Sequence, residues 1–227
     1  MVLNFAHRGA SGYYAENTML AFGKAVEMGC DGIETDVHLS KDGIPVLIHD
    51  ETVDRTTGKK GYVEDYTFSE LAEMGIPSLE QLIVLAKRCN VCLNIEIKNG
   101  RTWYEGVEEK VIEILKKHKM IDKTIVSSFN HYAMVKCKML CKELQTGLLY
   151  VEALYKPEMY CAYVGADAIH PNYIVLNKQV VEDVHRAGCK VNPYTVNNEG
   201  EMLALIEMGV DMIITNYPDR LSRILKR

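Results

Sequence analysis

Three acidic side chains lie on two segments that otherwise read as buried β-strand. Alternate residues of a strand share a face, so Glu34 and Asp36 project the same way. On the second segment, Glu96 shares its face with Asn94 and Lys98. Carboxylates on covered parallel strands are costly unless they are paired or bind metal, and oxygen ligands suit Mg2+, Ca2+ or Mn2+ better than Zn2+. The three acids therefore predict a divalent-metal site. The alternative is a buried polar network in which Lys98 neutralises one carboxylate.

Two histidines end strand-like segments near these acids. His7 is followed by Arg8, and His49 is followed by Asp50. Histidine can accept or donate a proton near neutral pH, so the two predict an acid–base pair. Arg8 and Lys98 add the cations that recognition of a phosphate requires. The alternative is that both histidines are structural and that the cations balance the carboxylates.

The elements that must position these side chains alternate between short apolar runs and longer helical patterns, which is typical of repeated βα units. Eight strands are predicted, at Leu3–His7, Gly32–Val37, Val91–Lys98, Thr124–Phe129, Thr146–Tyr150, Ala168–His170, Lys190–Thr195 and Met212–Asn216. Each is followed by a predicted helix, near Thr18–Met28, Ser78–Cys89, Tyr104–His118, His131–Cys141, Pro157–Tyr163, Asn177–Ala187, Glu199–Met208 and Pro218–Leu225. Eight such units predict a (β/α)8 TIM barrel. A doubly wound open sheet is the alternative, but the sequence lacks a Gly-x-Gly-x-x-Gly fingerprint.

A weak internal repeat supports this number of units. A glycine, a variable residue and an aspartate precede an apolar run at Gly29, Gly165 and Gly209. Each copy indicates a glycine that ends a helix, an aspartate in a turn, and then a strand.

One segment between strand two and its helix breaks the alternation. The pair Asp42-Gly43 separates two apolar runs, and the spacing leaves no room for a crossover helix, so an antiparallel hairpin is predicted. The stretch from Asp50 to Pro77 is polar. We therefore predict a single TIM-barrel domain over residues 1–227, with a small insertion at about 39–77 over the C-terminal mouth, where barrel active sites are built.

Composition and charge argue against several classes of partner and location. The chain has 227 residues, with 26 basic against 31 acidic side chains and a formal net charge of −5. A mildly acidic chain without a basic block is a poor nucleic-acid binder, so no nucleic-acid partner is expected. No apolar run approaches the roughly 20 residues of a membrane span, and residues 1–9 do not read as a signal peptide. Seven scattered cysteines suit reduced thiols, which predicts a cytoplasmic protein.

Taken in order, the motifs resemble those of the glycerophosphodiester phosphodiesterases. The N-terminal half carries His7-Arg8-Gly9, Glu16-Asn17-Thr18, Glu34-Thr35-Asp36-Val37, Lys41-Asp42-Gly43, His49-Asp50 and Glu96-Ile97-Lys98. The C-terminal half adds Ser127-Ser128-Phe129, Thr195-Val196-Asn197 and the run from Gly209 to Pro218. The likeness covers nearly the whole chain and is greatest to the small cytoplasmic bacterial members. The chain departs from the family at Ala15, where Pro is usual, at Tyr194, where Trp is common, and at Asn216, where Asp is common.

The resemblance implies a (β/α)8 barrel with a small insertion after strand two. It also implies metal-dependent hydrolysis of glycerophosphodiesters, such as glycerophosphocholine or glycerophosphoethanolamine, to glycerol 3-phosphate and an alcohol. The expected cofactor is one divalent cation, Mg2+ or Ca2+, with Mn2+ as a further candidate. Carried over residue by residue, the family's roles fall on three metal ligands, an acid–base pair and three substrate-binding side chains: Glu34, Asp36 and Glu96; His7 and His49; and Arg8, Lys98 and Tyr194.

In such a reaction one histidine removes the proton of the nucleophile and the other protonates the leaving oxygen. We expect His7 to be the acid and His49 the base. The nucleophile is either the substrate's own 2-hydroxyl, through a cyclic phosphate, or water.

Three other functions remain open: a phosphodiesterase for lysophospholipids or other glycerophosphoryl headgroups, a glycerophosphodiester-binding module without catalysis, and a sugar-phosphate isomerase barrel. The sequence leaves the headgroup, the preferred metal and the oligomeric state undetermined.

Overall fold

The strands form a parallel barrel with one antiparallel addition. In the computed structural model, which describes residues 1–226, they are β1 (Leu3–His7), β2 (Gly32–Leu39), β3 (Pro45–Leu47), β4 (Cys92–Ile97), β5 (Thr124–Ser128), β6 (Gln145–Tyr150), β7 (Ala168–Pro171), β8 (Lys190–Val191) and β9 (Met212–Thr215). Over this described part, eight strands follow one another in the order β8-β7-β6-β5-β4-β2-β1-β9, each parallel to its neighbours, and β3 pairs antiparallel with β2. The predicted (β/α)8 barrel and the hairpin after strand two are confirmed.

Except for two short helices within residues 39–77, the helices follow the barrel strands and cover their outer faces. They are α1 (Met19–Glu27), α2 (Asp54–Thr57), α3 (Phe68–Glu73), α4 (Leu79–Cys89), α5 (Val107–His118), α6 (His131–Leu140), α7 (Pro157–Val164), α8 (Lys178–Arg186), α9 (Glu199–Met208) and α10 (Pro218–Ile224). Local sequence sets their starts. Thr18 caps α1 by accepting the N–H of Ala21, and Ser78 and Gln81 form a reciprocal capping box on α4.

The aspartates of the internal repeat hold neighbouring strands in register. Oδ2 of Asp31, just before β2, accepts the backbone N–H of Asn4 on β1 at 2.7 Å, and Asp167 does the same between β7 and β6. Oδ2 of Asp211, before β9, accepts the N–H of Val191 on β8 at 2.8 Å. The repeat therefore also joins the two ends of the sheet, and the aspartates are strand linkers rather than turn residues alone.

The seam between β8 and β9 contains few regular ladder bonds. Strand β8 is shorter than the predicted Lys190–Thr195, because Pro193 has no N–H to donate to a ladder. Beyond it, Ile214 donates its N–H to the carbonyl of Pro193 at 3.0 Å, and Val196 donates to the carbonyl of Ile214 at 2.9 Å. On the other side of β9, β1 lies between β9 and β2.

The insertion has structure of its own, contrary to its interpretation as a polar stretch. It contains α2 and α3 and buries a separate apolar cluster made of Val46, Ile48, Val53, Val63, Leu71 and Ile76. The apolar residues are spread thinly between charged ones, so no periodic pattern marks them in the sequence.

The main core lies between the sheet and the surrounding helices. A second, smaller cluster inside the barrel contains Phe5, Ile125, Met212 and Ile214. Within residues 1–226, none of the helices combines the length and the apolar character that crossing a membrane requires.

Candidate active site

Three carboxylates converge at the C-terminal ends of two adjacent strands. Asp36 on β2 stands opposite Glu96 on β4 in the strand register, and Glu34 lies two residues before Asp36 on the same face. One carboxylate oxygen from each residue lies within 4.8 Å of the other two. All three side chains are buried, so the predicted cluster of acids is present.

Burial and neighbouring charges shift the pKa values of these three acids in different directions. Burial, followed by the charges of Asp36 and Glu96, raises the pKa of Glu34 well above its ordinary value. Burial is also the main cause that raises the pKa of Glu96 to about 7. For Asp36, burial opposes ionisation, but Lys98 and Arg8 outweigh it and lower the pKa. The two cations therefore do not offset the charge that all three acids would carry if each were ionised.

The residues fit a divalent cation on the chemistry of their donors. The cluster offers carboxylate oxygens only, which is the donor type that Mg2+ and Ca2+ take. Among the described residues, Oδ1 of Asp36 makes no hydrogen bond, although Lys98 Nζ lies 3.3 Å away. A buried acceptor without a hydrogen bond, in a cluster of three acids, marks a place where one more positive charge is favourable.

Two cations border the acids. Arg8 directs Nε to Oδ2 of Asp36 at 3.2 Å and Nη1 to Glu16 at 3.0 Å. Lys98 Nζ lies 2.8 Å from Oε1 of Glu96. Both side chains keep about one sixth of their surface exposed toward the mouth. They can balance the acids and also reach an anionic group that enters the mouth.

His7 ends β1, and one of its two ring nitrogens has a hydrogen-bond partner. Its Nδ1 donates to Oδ1 of Asn216 at 2.6 Å, and its Nε2 lies 3.9 Å from Oε2 of Glu34. Burial is the main cause that lowers the pKa of His7 to about 4, and the charge of Arg8 adds to it. The ring is therefore neutral at pH 7, with the proton on Nδ1 and a lone pair on Nε2.

His49 approaches the same acids from the insertion. It follows β3, its Nδ1 donates to Oδ1 of Asp50 at 2.7 Å, and about a third of its side chain is exposed. His49 also contributes to the lowered pKa of Asp36, after Lys98 and Arg8. The buried His38 fixes the backbone of His49, because Nε2 of His38 donates to the His49 carbonyl at 3.1 Å.

Tyr194 lines a small cavity beside the acids. The cavity, of about 20 Å³, is bounded by His7, Glu34, Asn94, Glu96, Leu149, Tyr194 and Ile214. The hydroxyl of Tyr194 donates to the carbonyl of Tyr150 at 3.1 Å, and its ring meets Phe129 edge-on. A larger cavity of about 380 Å³ lies between the insertion and the loop after β1, and His49 and Arg55 line it.

Several polar residues that support the site carry no individual role in the sequence prediction. Arg55 of α2 donates to Asp50 at 2.7 Å and to Glu16 at 2.6 Å, so it ties the insertion to the loop after β1. Asn17 donates to Oδ2 of Asp36 at 2.8 Å. Their signal is the motif Glu16-Asn17-Thr18 and, for Asn216, its departure from the common Asp. Arg55 has no comparable signal.

Comparisons with known proteins agree with this arrangement. A model of the glycerophosphoryl diester phosphodiesterase family matches residues 7–220. A protein named glycerophosphodiester phosphodiesterase from Caldanaerobacter subterraneus subsp. tengcongensis is 39% identical over 238 residues, which cover 99% of this chain and 98% of the relative. A protein of the same name from Bacillus altitudinis is 39% identical over 236 residues, covering 97% and 96%.

The fold is also similar to solved structures. A phosphodiesterase from Oleispira antarctica, in complex with its product sn-glycerol-3-phosphate, superposes with a TM-score of 0.91. It is 30% identical to this chain, and the match covers 98% of this chain and 96% of that one.

Proposed function

This chain belongs to the glycerophosphoryl diester phosphodiesterase family and is a glycerophosphodiester phosphodiesterase, and from that premise we propose its substrates, its metal and its catalytic residues. It hydrolyses small glycerophosphodiesters, such as glycerophosphocholine or glycerophosphoethanolamine, to glycerol 3-phosphate and the free alcohol. The observation that carries this proposal is the convergence of three buried acids, two histidines and two cations at one end of the barrel. The Oleispira relative bound to sn-glycerol-3-phosphate supports the glycerol phosphate half of the substrate.

Glu34, Asp36 and Glu96 hold the divalent cation, Mg2+ or Ca2+. When bound, the cation supplies Lewis-acid polarisation of a phosphate oxygen and offsets the repulsion between a phosphodiester and its nucleophile. The protein's contribution is the fixed cluster of oxygens, because β2 and β4 are held in register by the sheet.

His7 is the general base in this proposal, which reverses the order expected from the sequence. Its neutral ring, with Nδ1–H held by Asn216, leaves Nε2 free to take a proton at pH 7. His49 is then the general acid, since it is the more exposed of the two and lies beside the larger cavity. His49 donates a proton to the oxygen of the departing alcohol. His7 carries the nucleophile's proton, and both rings return to their starting states by exchange with solvent.

Arg8 and Lys98 bind the phosphate. Each is anchored to an acid of the cluster and partly exposed toward the mouth, so each can stabilise the negative charge that grows on the phosphoryl oxygens. Tyr194 packs against the glycerol or the headgroup. Its hydroxyl is engaged by the Tyr150 carbonyl, so its ring is its free contact surface.

The insertion, residues 39–77, covers the C-terminal mouth of a single TIM-barrel domain and shapes the headgroup side of the site. Its support is the contact of Arg55 with Glu16, which joins it to the loop after β1. We also propose a cytoplasmic location, which agrees with the free state of the seven cysteines.

The deciding assay is release of glycerol 3-phosphate from glycerophosphocholine and glycerophosphoethanolamine. Protein stripped with chelator should be inactive, and Mg2+ or Ca2+ should restore turnover. Lysophosphatidylcholine serves as a second substrate class. Absence of release from every small diester with Mg2+, Ca2+ and Mn2+ would refute the proposal, and faster release from the lysophospholipid would reassign the substrate.

The nucleophile can be identified in the same assay. Attack by the 2-hydroxyl forms a cyclic glycerol phosphate before water opens it, whereas direct attack by water never does. Phosphorus NMR during turnover distinguishes the two routes, because the five-membered cyclic phosphate has a well-separated resonance.

A further inference from the structure

Two neighbouring helices of the barrel wall differ from the others in what they present to solvent. The exposed residues of α6 are Tyr132, Val135, Met139 and Leu140, and those of α7 are Met159, Tyr160, Ala162 and Tyr163. The helices on either side are polar there. The exposed residues of α5 are Glu109, Glu113, Lys116 and Lys117, and those of α8 are Lys178, Gln179, Glu182, His185 and Arg186. We call the outward side of α6 and α7, together with Tyr155 just before α7, the α6–α7 face.

The lysines of α6 do not interrupt this face. Lys136 lies 2.9 Å from Oε2 of Glu108 on α5, and Lys138 lies 2.7 Å from Oδ2 of Asp167 below α7. Both cations are therefore directed sideways, into ion pairs of the same chain. Between the helices, Nδ1 of His131 and the hydroxyl of Tyr160 are hydrogen-bonded at 2.9 Å. These contacts join α6 and α7 into one surface, and at its edge Nζ of Lys156 lies 5.4 Å from the centre of the Tyr155 ring.

The face is large enough for a specific interface. Tyr132, Met139, Tyr155 and Tyr163 are between 79% and 89% exposed, and Met159 is 61% exposed. A covered aromatic side chain buries roughly 150–250 Å². The three tyrosines with the two methionines therefore reach the scale of the ~800 Å² that each partner buries in a standard interface. Tyrosine and methionine are also enriched in interface cores, where lysine and glutamate are depleted.

We propose that the α6–α7 face is the surface through which two copies of this chain associate. A two-fold axis across the face would lay α6 and α7 of one copy antiparallel to those of the other. Such an isologous contact covers both apolar stripes at once. This proposal is independent of the catalytic function.

A second copy explains the face better than a lipid surface does. Tyr132 and Tyr155 lie at the mouth end of the face, but Met139 and Tyr163 lie in the last turns of α6 and α7, which in this fold is the end of the barrel away from the mouth. A membrane that delivers substrate would meet the mouth and leave these side chains in water. The net charge of −5 also opposes docking on an anionic bilayer.

Sedimentation velocity from about 1 to about 100 µM measures the association. The full chain should sediment with twice the mass of one copy, and the double variant Met139→Glu/Tyr163→Glu should be monomeric with an unchanged circular dichroism spectrum. Leu203→Glu is the matched control, because Leu203 is half exposed on α9, outside the face. It should leave the dimer intact.

A second measurement does not depend on the folding of the double variant. A photoreactive phenylalanine analogue at Tyr163 should give a covalent dimer on irradiation, and the same analogue at Leu203 should not. A full chain that stays monomeric at the highest concentration overturns the proposal, whether or not it floats with phosphatidylglycerol vesicles. A dimer that survives the double substitution also overturns it.

Discussion

His7 and Asn216 are 209 positions apart in the chain, yet Nδ1 of the histidine donates to Oδ1 of the amide at 2.6 Å. The amide is itself held in place. Its oxygen accepts a second hydrogen bond from Ser11 at 3.1 Å, and the backbone N–H of Asn216 donates to Asn197 at 2.9 Å. An acceptor fixed at Nδ1 selects the tautomer in which Nε2 carries the lone pair, so Asn216 orients His7 for the role of base that we propose.

Asn216→Asp should shift the pH dependence of the reaction. The carboxylate keeps an acceptor at Nδ1 but adds a negative charge, which favours the protonated ring and raises the pKa of His7. The acid limb of kcat/KM should move upward by about one pH unit. Asn216→Leu, which removes the acceptor, should lower kcat tenfold or more. An unchanged pH profile in Asn216→Asp would contradict the assigned contact.

His7→Ala and His49→Ala should each lower kcat by about a hundredfold or more, the usual contribution of a general acid or base. In the unaltered protein His7 is the base only in its neutral form. Its pKa is lowered to about 4, so the activity that depends on it should be full above that pH and fall as the pH drops through about 4. Near-normal turnover of either alanine variant, with metal binding intact, would make that histidine structural.

Glu34→Gln should have opposite effects on metal binding and on stability. Burial and the two neighbouring acids make ionisation of Glu34 costly in the metal-free folded chain, and the amide removes that cost, so the metal-free protein should melt higher, by roughly 2–4 °C for each kcal/mol relieved. The same change removes a ligand, and the stabilisation by added Mg2+ or Ca2+ should largely disappear together with turnover. Calorimetric melting with and without metal measures both. A lower melting temperature in chelator would show that the acids do not repel one another.

Arg55→Gln should loosen the insertion. Arg55 donates to Asp50, the partner of His49, and is the main cause that lowers the pKa of Asp50 to about 2. Without it, His49 loses a fixed orientation, and kcat should fall about tenfold with a smaller change in KM. Lys59→Gln, at an exposed position just after α2, is the control and should behave normally. Equal effects in the two variants would remove Arg55 from the site.

His170→Gln should make the protein less sensitive to acid. His170 is buried inside the barrel, its Nε2 accepts from Asn192 at 2.9 Å, and burial lowers its pKa to about 3. The unfolded chain binds this proton below about 6.5 and the native chain only below about 3, so stability is lost as the pH falls between those values. Each pH unit costs up to ~1.4 kcal/mol for this group. Urea unfolding at pH 7.5 and 5 should show a smaller loss in the variant.

Strand and helix positions were predictable wherever one physical signal dominates. Apolar runs of four to six residues became buried strands, and glycines with caps marked the helix ends, as at Gly209. The three acids were predictable for a related reason. A charged residue within a strand that is covered on both faces is unusual, so Glu34, Asp36 and Glu96 could be recognised from the sequence.

Contacts between distant polar residues were not predictable. The sequence around Arg55 gives no sign that this side chain reaches Glu16, since an arginine on a short surface helix usually stays in solvent. The protonation state of His7 depends on burial and on Asn216, which the sequence separates from it by most of the chain. The structure was therefore needed to propose His7 as the base and His49 as the acid, which is the reverse of the expectation from the sequence.

The place of β1 between β2 and β9 also governs when activity can arise during synthesis. Strand β1 is synthesised first, and the edge that pairs with β9 stays unpaired until nearly the whole chain has been made. Asn216 is delivered at the same moment, directly after β9. A nascent chain that stalls short of this strand therefore has all three acids and both histidines but neither a closed barrel nor an oriented His7. With His7 as the base that we propose, closure of the barrel and orientation of that base coincide late in synthesis, so incomplete chains are expected to be inactive.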